Sequence, residues 1–206
     1  MFIAWLNKLD GKDWPEELMK YLVDAEKRDH EHIPHALTLY QSILDLNAQI
    51  VVEIGTKEGK SAKIIVEALK RTGGHLYSVD KCEYKPVDSP FITYVTSDFV
   101  KFNIDNPIDV LFDDGSHDYE EVRKALDNFW SSINTPGLYI VADVDSHILA
   151  KEAVTDWAEE KNMGFLFDFR GQGAAYFFKP SYPNRYRGVI DSHQMYKWIP
   201  REKDDH

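Results

Sequence analysis

The chain has 206 residues, a length that suits one domain, and we expect a single domain over 1–206. Hydrophobic residues make up 43% of the chain and charged residues 29%, which is typical of a folded globular protein and excludes a disordered chain. The formal net charge of −11 argues against nucleic acid as a partner, because binding to phosphates needs clustered Lys and Arg, and it favours a small molecule.

Two helices are predicted ahead of the first strand, in an N-terminal cap over 1–47. The first runs over 14–28, where Asp13 suits the N-cap position and Pro15 suits the first turn. The second runs over 34–47 and carries its apolar residues at helical spacing: Leu37, Tyr40, Ile43 and Leu44.

From residue 49 onward, short β-branched runs alternate with helical segments. Strands are predicted over 49–55, 73–80, 91–98, 107–114 and 137–144, and helices over 60–72, 119–133 and 148–162. Two last strands, over 163–170 and 173–180, are joined by a GQG turn that predicts an antiparallel pair. This order predicts an α/β fold with a Rossmann-like, doubly wound, seven-stranded sheet. The sheet would be mostly parallel with an antiparallel last strand, and helices would cover both faces.

We assign 48–179 to a cofactor-binding core and 180–206 to a C-terminal arm rich in Tyr, Pro and Arg. The arm is predicted to pack on the core or on another subunit, and a homodimer would form through the arm or through the N-terminal helices. The lone cysteine, Cys82, cannot form an internal disulfide. The sequence has no apolar run of ~18 residues and its N-terminus is too charged for a signal peptide, so we expect a cytoplasmic protein without a membrane partner.

Acidic residues and glycines follow the first three predicted core strands. Glu53 ends the first strand and is followed by Gly55 and Gly59, Asp80 ends the second strand, and Asp98 follows the third. Ligands of open parallel sheets bind at the carboxyl ends of the strands, so this is the expected address of a site. The glycine spacing fits neither G-x-G-x-x-G nor the phosphate-binding P-loop. A turn that merely needs glycines remains the simpler interpretation.

The ordered set resembles the class I S-adenosylmethionine-dependent methyltransferases over roughly 35–180. The matching features are E-x-G-x-x-x-G after the first strand, an acid ending the second, and S-D-F after the third. The resemblance implies that Glu53 faces the cationic methionine end of the cofactor, Asp80 binds the ribose and Asp98 accepts from the adenine amino group. The full cofactor set it implies is Glu53, Gly55, Thr56, Gly59, Ser61, Asp80, Lys81, Ser97, Asp98, Phe99 and Asp114.

The stretch DDGSHDYEEV at 113–122 resembles the subgroup of macrolide and sugar O-methyltransferases and cephalosporin-hydroxylase-like proteins, related to the catechol and caffeoyl-CoA enzymes. The resemblance implies that Asp114 and Asp143 bind Mg²⁺ or another divalent cation, with His117 as general base. His147 is a second candidate base. The subgroup's histidine before the second aspartate is Ala142 here, and the catechol-type asparagine after it is Val144. Alternatively, the neighbouring aspartates, Asp113 and Asp118, only cap the turn and the next helix, and no metal binds.

The leading hypothesis is therefore an enzyme, an S-adenosylmethionine-dependent methyltransferase that methylates a hydroxyl of a small metabolite. A cofactor-binding protein without methyl transfer, with a regulatory or interaction role, is the alternative that Ala142 and Val144 leave open. Methylation of protein or nucleic acid is disfavoured by the net charge and by the D-D-G-S-H sequence where an N-P-P-Y-like motif would stand. The acceptor itself cannot be named from the fold.

Overall fold

The computed structural model describes residues 33–168, 172–179, 186–191 and 194–200. The helix predicted over 14–28 lies outside these residues. The described helices are α1 (Ile33–Asp45), α2 (Lys60–Thr72), α3 (Tyr119–Phe129) and α4 (Ile148–Glu160). None of them is both long enough and apolar enough to cross a bilayer.

The described strands are β1 (Ile50–Ile54), β2 (His75–Asp80), β3 (Ile92–Thr96), β4 (Ile108–Asp113), β5 (Ile133–Ala142), β6 (Leu166–Asp168), β7 (Ala174–Lys179), β8 (Tyr186–Asp191) and β9 (Gln194–Pro200). They form one sheet in the order β3-β2-β1-β4-β5-β7-β6-β8-β9. The first five strands run parallel, and β7 lies antiparallel between β5 and β6. The predicted mostly parallel sheet with an antiparallel last strand is confirmed for these seven strands.

Two further strands extend the sheet beyond the predicted seven. β8 pairs parallel to β6, and β9 pairs antiparallel to β8. Both lie within the segment 180–206, which the sequence assigns only to an arm. The described part of this arm therefore continues the sheet of the core.

Helices cover both faces of the sheet. Val51 of β1 packs into a core with α1 and α2, while its neighbour Val52 packs into a second core with α3 and α4. Successive side chains of a strand point to opposite faces, so a buried strand needs apolar residues at every position. The predicted helical layers are thereby confirmed.

The strands that carry the predicted site end at one edge of the sheet. Ile54 of β1 is in register with Val79 of β2 and with Asp113 of β4, and Asp113 is in register with Val141 of β5. Parallel strands in this register bring their carboxyl ends together. The loops after β1, β2, β4 and β5 therefore surround one common space.

Candidate active site

The loop that leaves β1 passes very close to the end of β4. Gly55 has a φ of 91°, and a Cβ atom built there would lie 2.3 Å from the carbonyl oxygen of Asp114. Gly59 has a φ of 68°, and a Cβ atom there would lie 2.4 Å from the side chain of Pro86. Both positions favour glycine because L side chains rarely adopt positive φ. The packing of the protein itself therefore requires these two glycines.

Asp80, at the end of β2, holds this loop in place. Its Oδ2 accepts a 2.9 Å hydrogen bond from the backbone N–H of Thr56, and its Oδ1 accepts one of the same length from the N–H of Cys82. Hydrogen bonds to a charged carboxylate are the stronger kind. Asp80 therefore positions the loop, and a contact with a ribose remains a prediction.

Glu53 is completely buried and does not line the cavities described below. Its two carboxyl oxygens accept hydrogen bonds from the hydroxyls of Ser61 and Ser78, and Ser78 Oγ lies 2.7 Å from Thr56 Oγ1. Burial raises the pKa of Glu53 to about 7. Each oxygen thus has a serine donor in this structure, and a contact between Glu53 and the cationic end of a cofactor remains a prediction.

Two cavities lie along the carboxyl edge of the sheet and meet at Gly55. The larger has a volume of about 660 Å³, and the predicted site residues on its wall are Gly55, Thr56, Gly59, Ser61, Asp114 and Asp143. The smaller has a volume of about 100 Å³, and the predicted site residues on its wall are Gly55, Asp80, Lys81, Ser97 and Phe99. Ser116, which no sequence pattern indicated, also lines the smaller cavity. Most of the predicted cofactor set therefore lines these two cavities, which share Gly55 and which we together call the groove.

Asp98 stands apart from these cavity walls. Its Oδ1 accepts a 3.1 Å hydrogen bond from the N–H of Val100, which caps the short 3-10 turn Phe99–Lys101. Its Oδ2 lies 3.7 Å from Nζ of Lys81. A contact between Asp98 and an adenine amino group remains a prediction, and the neighbouring Phe99 lines the smaller cavity.

The polar residues after β4 and β5 meet beside the larger cavity. Nε2 of His117 lies 3.7 Å from Oδ1 of Asp114 and 3.5 Å from Oδ2 of Asp143. His117 Nε2 and Asp114 Oδ1 are both buried atoms without a hydrogen-bond partner among the described residues. The carboxylate of Asp114, and after it that of Asp143, raises the pKa of His117, although burial opposes the effect. The structure thus brings the two predicted metal ligands to one imidazole nitrogen.

His147 completes this group, which we call the His–Asp cluster: Asp114, His117, Asp143 and His147. The rings of His117 and His147 stack with centroids 3.9 Å apart. Nδ1 of His147 lies 2.9 Å from Ser146 Oγ, and that hydroxyl donates to the backbone oxygen of Asp143 at 3.1 Å. When the hydroxyl of Ser146 donates to that backbone oxygen, Nδ1 of His147 is the donor of the pair and Nε2 of a neutral His147 carries the lone pair.

The end of β5 explains why His147 enters the cluster and Asp145 does not. β5 ends at Ala142, and Asp143 has a φ of 59°, so the extended alternation of side chains stops there. Asp145 instead forms an ion pair of 2.8 Å with Lys151. The sequence indicated His147 as a candidate base, but neither its stacking on His117 nor the role of Ser146 could be predicted from spacing.

The neighbouring aspartates have local structural roles, as one of the sequence interpretations proposed. Asp113 is buried and accepts hydrogen bonds from the Tyr139 hydroxyl at 3.1 Å and from the N–H of Gly115 at 3.3 Å. Burial raises its pKa to about 7. Asp118 is the N-cap of α3, where it accepts a 3.0 Å hydrogen bond from the N–H of Glu120. These two carboxylates therefore lie outside the His–Asp cluster.

The part of the chain that forms this site is similar to a known protein family. Residues 52–144, from β1 to just after β5, match the family described as "Methyltransferase domain". Residues 52–144 are therefore similar to a methyltransferase domain. The match contains the loop after β1 and three members of the His–Asp cluster: Asp114, His117 and Asp143. No curated protein matches the sequence.

Solved methyltransferases share the fold of this domain at low sequence identity. An S-adenosylhomocysteine-bound methyltransferase from Podospora anserina, PaMTH1, has a TM-score of 0.63 at 14% identity, over 85% of this chain and 92% of its own. A putative caffeoyl-CoA O-methyltransferase from Staphylococcus aureus has a TM-score of 0.63 at 13% identity, over 85% and 96%. The mycinamycin pathway methyltransferase MycE, in complex with Mg, S-adenosylhomocysteine and mycinamycin VI, has a TM-score of 0.57 at 17% identity, over 82% and 54%. The predicted class I methyltransferase fold is confirmed.

Proposed function

We propose that this protein transfers a methyl group from S-adenosylmethionine to a hydroxyl group of a small molecule. The observation that carries the proposal is the position of the His–Asp cluster, whose Asp114 and Asp143 line the same cavity as the glycine loop after β1. A methyl donor in the groove and a hydroxyl at the cluster would therefore be neighbours. The O-methyltransferases that share the fold support this choice of reaction.

The two cavities fit the two ends of such a cofactor. In this proposal the smaller cavity takes the adenosine end, where Phe99 supplies an apolar wall and Asp80 is the nearest carboxylate for the ribose. The larger cavity takes the methionine end against Ser61 and the backbone of Gly55 and Gly59, and still has room for an acceptor. Glu53 supports this end indirectly, because it holds the hydroxyl of Ser61.

When bound, S-adenosylmethionine supplies an electrophilic methyl group: transfer breaks its carbon–sulfur bond, forms a carbon–oxygen bond and releases the hydroxyl proton. The His–Asp cluster offers two ways to remove that proton. An unprotonated imidazole nitrogen, such as Nε2 of His147, accepts it directly. A cation held by the cluster lowers the pKa of a coordinated hydroxyl.

A divalent cation fits the cluster on two grounds. Asp114 and Asp143 both approach Nε2 of His117, so their negative charges meet at one point. Asp114 Oδ1 and His117 Nε2 are buried without a hydrogen-bond partner among the described residues, and a bound cation would provide one. MycE, which was solved with Mg, supports the same assignment. We propose that the cation orients the acceptor hydroxyl toward the methyl group.

Titration calorimetry with S-adenosylmethionine tests the cofactor assignment, and no binding at millimolar cofactor would overturn it. Methyl transfer from isotope-labelled cofactor to a panel of catechols, sugars and other polyhydroxylated compounds then tests the reaction. Binding without transfer to any acceptor would favour the alternative, a cofactor-binding protein. Activity that resists EDTA and the substitution Asp114→Ala would contradict the metal assignment alone.

A further inference from the structure

We propose that the cation of the His–Asp cluster is a transition-metal ion, bound by His117, Asp143 and His147, and not Mg²⁺. This inference rests on the proposed function, because it names the metal ion of the same site. Its own basis is the chemistry of the donor atoms. Ligand atoms of these three residues lie within 4.8 Å of one another.

The donor atoms lie close together, and the two imidazole rings are stacked. His117 Nε2 and Asp143 Oδ2 are 3.5 Å apart, and the imidazole planes of His117 and His147 are within 20° of parallel at a centroid distance of 3.9 Å. Nitrogen and oxygen ligands at ~2.1 Å from one metal are roughly 3 Å apart when adjacent. Because the lone pair of an imidazole nitrogen lies in the plane of the ring, one of the two rings must rotate out of the stack for both to face one ion, and both side chains are at least partly exposed.

The hydrogen bonds of His147 select the nitrogen that a metal needs. Its Nδ1 lies 2.9 Å from Ser146 Oγ and 3.3 Å from the backbone oxygen of Asp143, so this nitrogen carries the proton. Nε2 is left with a lone pair. A ligating histidine usually donates its second ring N–H to a neighbouring oxygen, which fixes the ring and makes it a better ligand. His147 thus has this outer support before any metal binds.

His147 also supplies a ligand atom in place of the one that is missing at Ala142. Ala142, at the end of β5, has no ligand atom, and Val144 is buried and apolar. His147 lies at the start of α4, where the chain returns to the cluster after the positive-φ residue Asp143. The imidazole therefore reaches the site from the helix and not from the strand.

Two imidazoles and one carboxylate decide which ion is favoured. Imidazole suits Zn²⁺, Fe²⁺, Ni²⁺ and Cu²⁺, whereas carboxylates and water suit Mg²⁺. Three protein ligands leave positions open for the carboxylate of Asp114, whose Oδ1 lies 3.7 Å from His117 Nε2, and for a substrate hydroxyl. Most nitrogen-containing sites bind late transition metals more tightly than Mg²⁺, so a higher affinity for a transition metal does not by itself test the inference. The decisive quantity is how much the affinity for each ion falls when His147 is removed.

Co²⁺ and Mg²⁺ titrations of the full chain test the inference. Visible absorption follows Co²⁺, calorimetry follows both ions, and the variants are His147→Ala and His75→Ala. His75 is the matched control, because it starts β2 at the opposite edge of the sheet and its Nε2 pairs with Thr93 Oγ1 at 2.8 Å. We expect one Co²⁺ per chain, at least a tenfold loss of Co²⁺ affinity in His147→Ala, a change of less than twofold for Mg²⁺, and no change in His75→Ala.

Proton NMR of the Co²⁺ form distinguishes ligation from a purely structural role of His147. Two exchangeable imidazole N–H signals should be shifted by the ion, and one of them should disappear in His147→Ala. Unchanged Co²⁺ affinity in that variant, or equal losses for Co²⁺ and Mg²⁺, would overturn the inference. Affinity for S-adenosylmethionine, measured on the same samples without metal, reports separately on the proposed function.

Discussion

The imidazole rings of His117 and His147 stack at a centroid distance of 3.9 Å, although they follow different strands of the sheet. Two imidazolium cations at this distance would repel each other. The neighbouring carboxylates of Asp114 and Asp143 raise the pKa of His117, although burial opposes the effect. The stack therefore joins an imidazole beside two carboxylates to one whose Nδ1 lies beside the hydroxyl of Ser146.

Replacing His117 by alanine should impair methyl transfer without affecting the cofactor site. We expect kcat to fall by ~100-fold or more, the usual effect of losing a group that acts on the reacting proton. The affinity for S-adenosylmethionine should change by less than about threefold, because His117 is not on the wall of either cavity around Gly55. Steady-state kinetics and calorimetry measure the two effects. A weaker cofactor complex with unchanged kcat would contradict this assignment.

Replacing Asp80 by alanine should weaken cofactor binding through the loop after β1. The substitution removes an acceptor for the backbone N–H groups of Thr56 and Cys82, and hydrogen bonds to a charged group contribute about 1.5–3 kcal/mol each. We expect the Kd for S-adenosylmethionine to rise at least tenfold and hydrogen exchange to increase at residues 56–59. Asp105→Ala, at an exposed position, removes the same charge elsewhere. An equal effect in that control would mean that net charge and not the loop is responsible.

The bounds of several elements could be predicted from the sequence because local signals flank them. α2 begins and ends as predicted, at Lys60 and Thr72, between glycines with positive φ at Gly59 and Gly73. β8 and β9 were not predicted, because their place depends on long-range pairing with β6 and β6 itself is short. Aromatic and proline content alone cannot indicate such pairing.

The candidate site could be predicted only as far as chain position determines it. Strand order places Asp80, Asp114 and Asp143 at one edge of the sheet. It does not show which carboxyl oxygens already accept hydrogen bonds within the protein, as those of Glu53 do from Ser61 and Ser78 and as Oδ1 of Asp98 does from the N–H of Val100. Local turns, such as the one at Asp143, likewise decide which histidine reaches the cluster.

Replacing Glu53 by glutamine should increase the free energy of unfolding relative to that of the wild-type protein, and the increase should be larger at neutral and higher pH than at acidic pH. The pKa of Glu53 is raised from 4.5 to about 7 in the folded protein, so the unfolded chain loses this proton first as the pH rises. As the pH rises from 4.5 to about 7, the free energy of unfolding of the wild-type protein therefore decreases relative to that of Glu53→Gln, by up to about 3 kcal/mol. Urea unfolding of both proteins at pH 5, 6 and 8 measures the difference. A difference that does not vary with pH would show that Glu53 ionises normally in the fold.

Gly55→Ala should destabilise the protein more than Gly73→Ala does, although both positions have positive φ. A Cβ at Gly73 meets no atom within 4 Å, so alanine there costs only the backbone strain of ~1–2 kcal/mol. A Cβ at Gly55 would lie 2.3 Å from the backbone oxygen of Asp114, and the ends of β1 and β4 must separate to admit it. We expect an additional loss of at least about 2 kcal/mol, by analogy with overpacked core sites.

Urea unfolding of the two alanine variants at one pH gives the comparison directly. Because both carry the same residue at a left-handed backbone position, the difference between them isolates the close approach of Gly55 to Asp114. A separation of β1 and β4 would also displace Asp114 from His117, so methyl transfer should fall in Gly55→Ala and stay unchanged in Gly73→Ala. Equal stabilities of the two variants would mean that the ends of β1 and β4 separate without cost, and the expected clash at Gly55 would then be wrong.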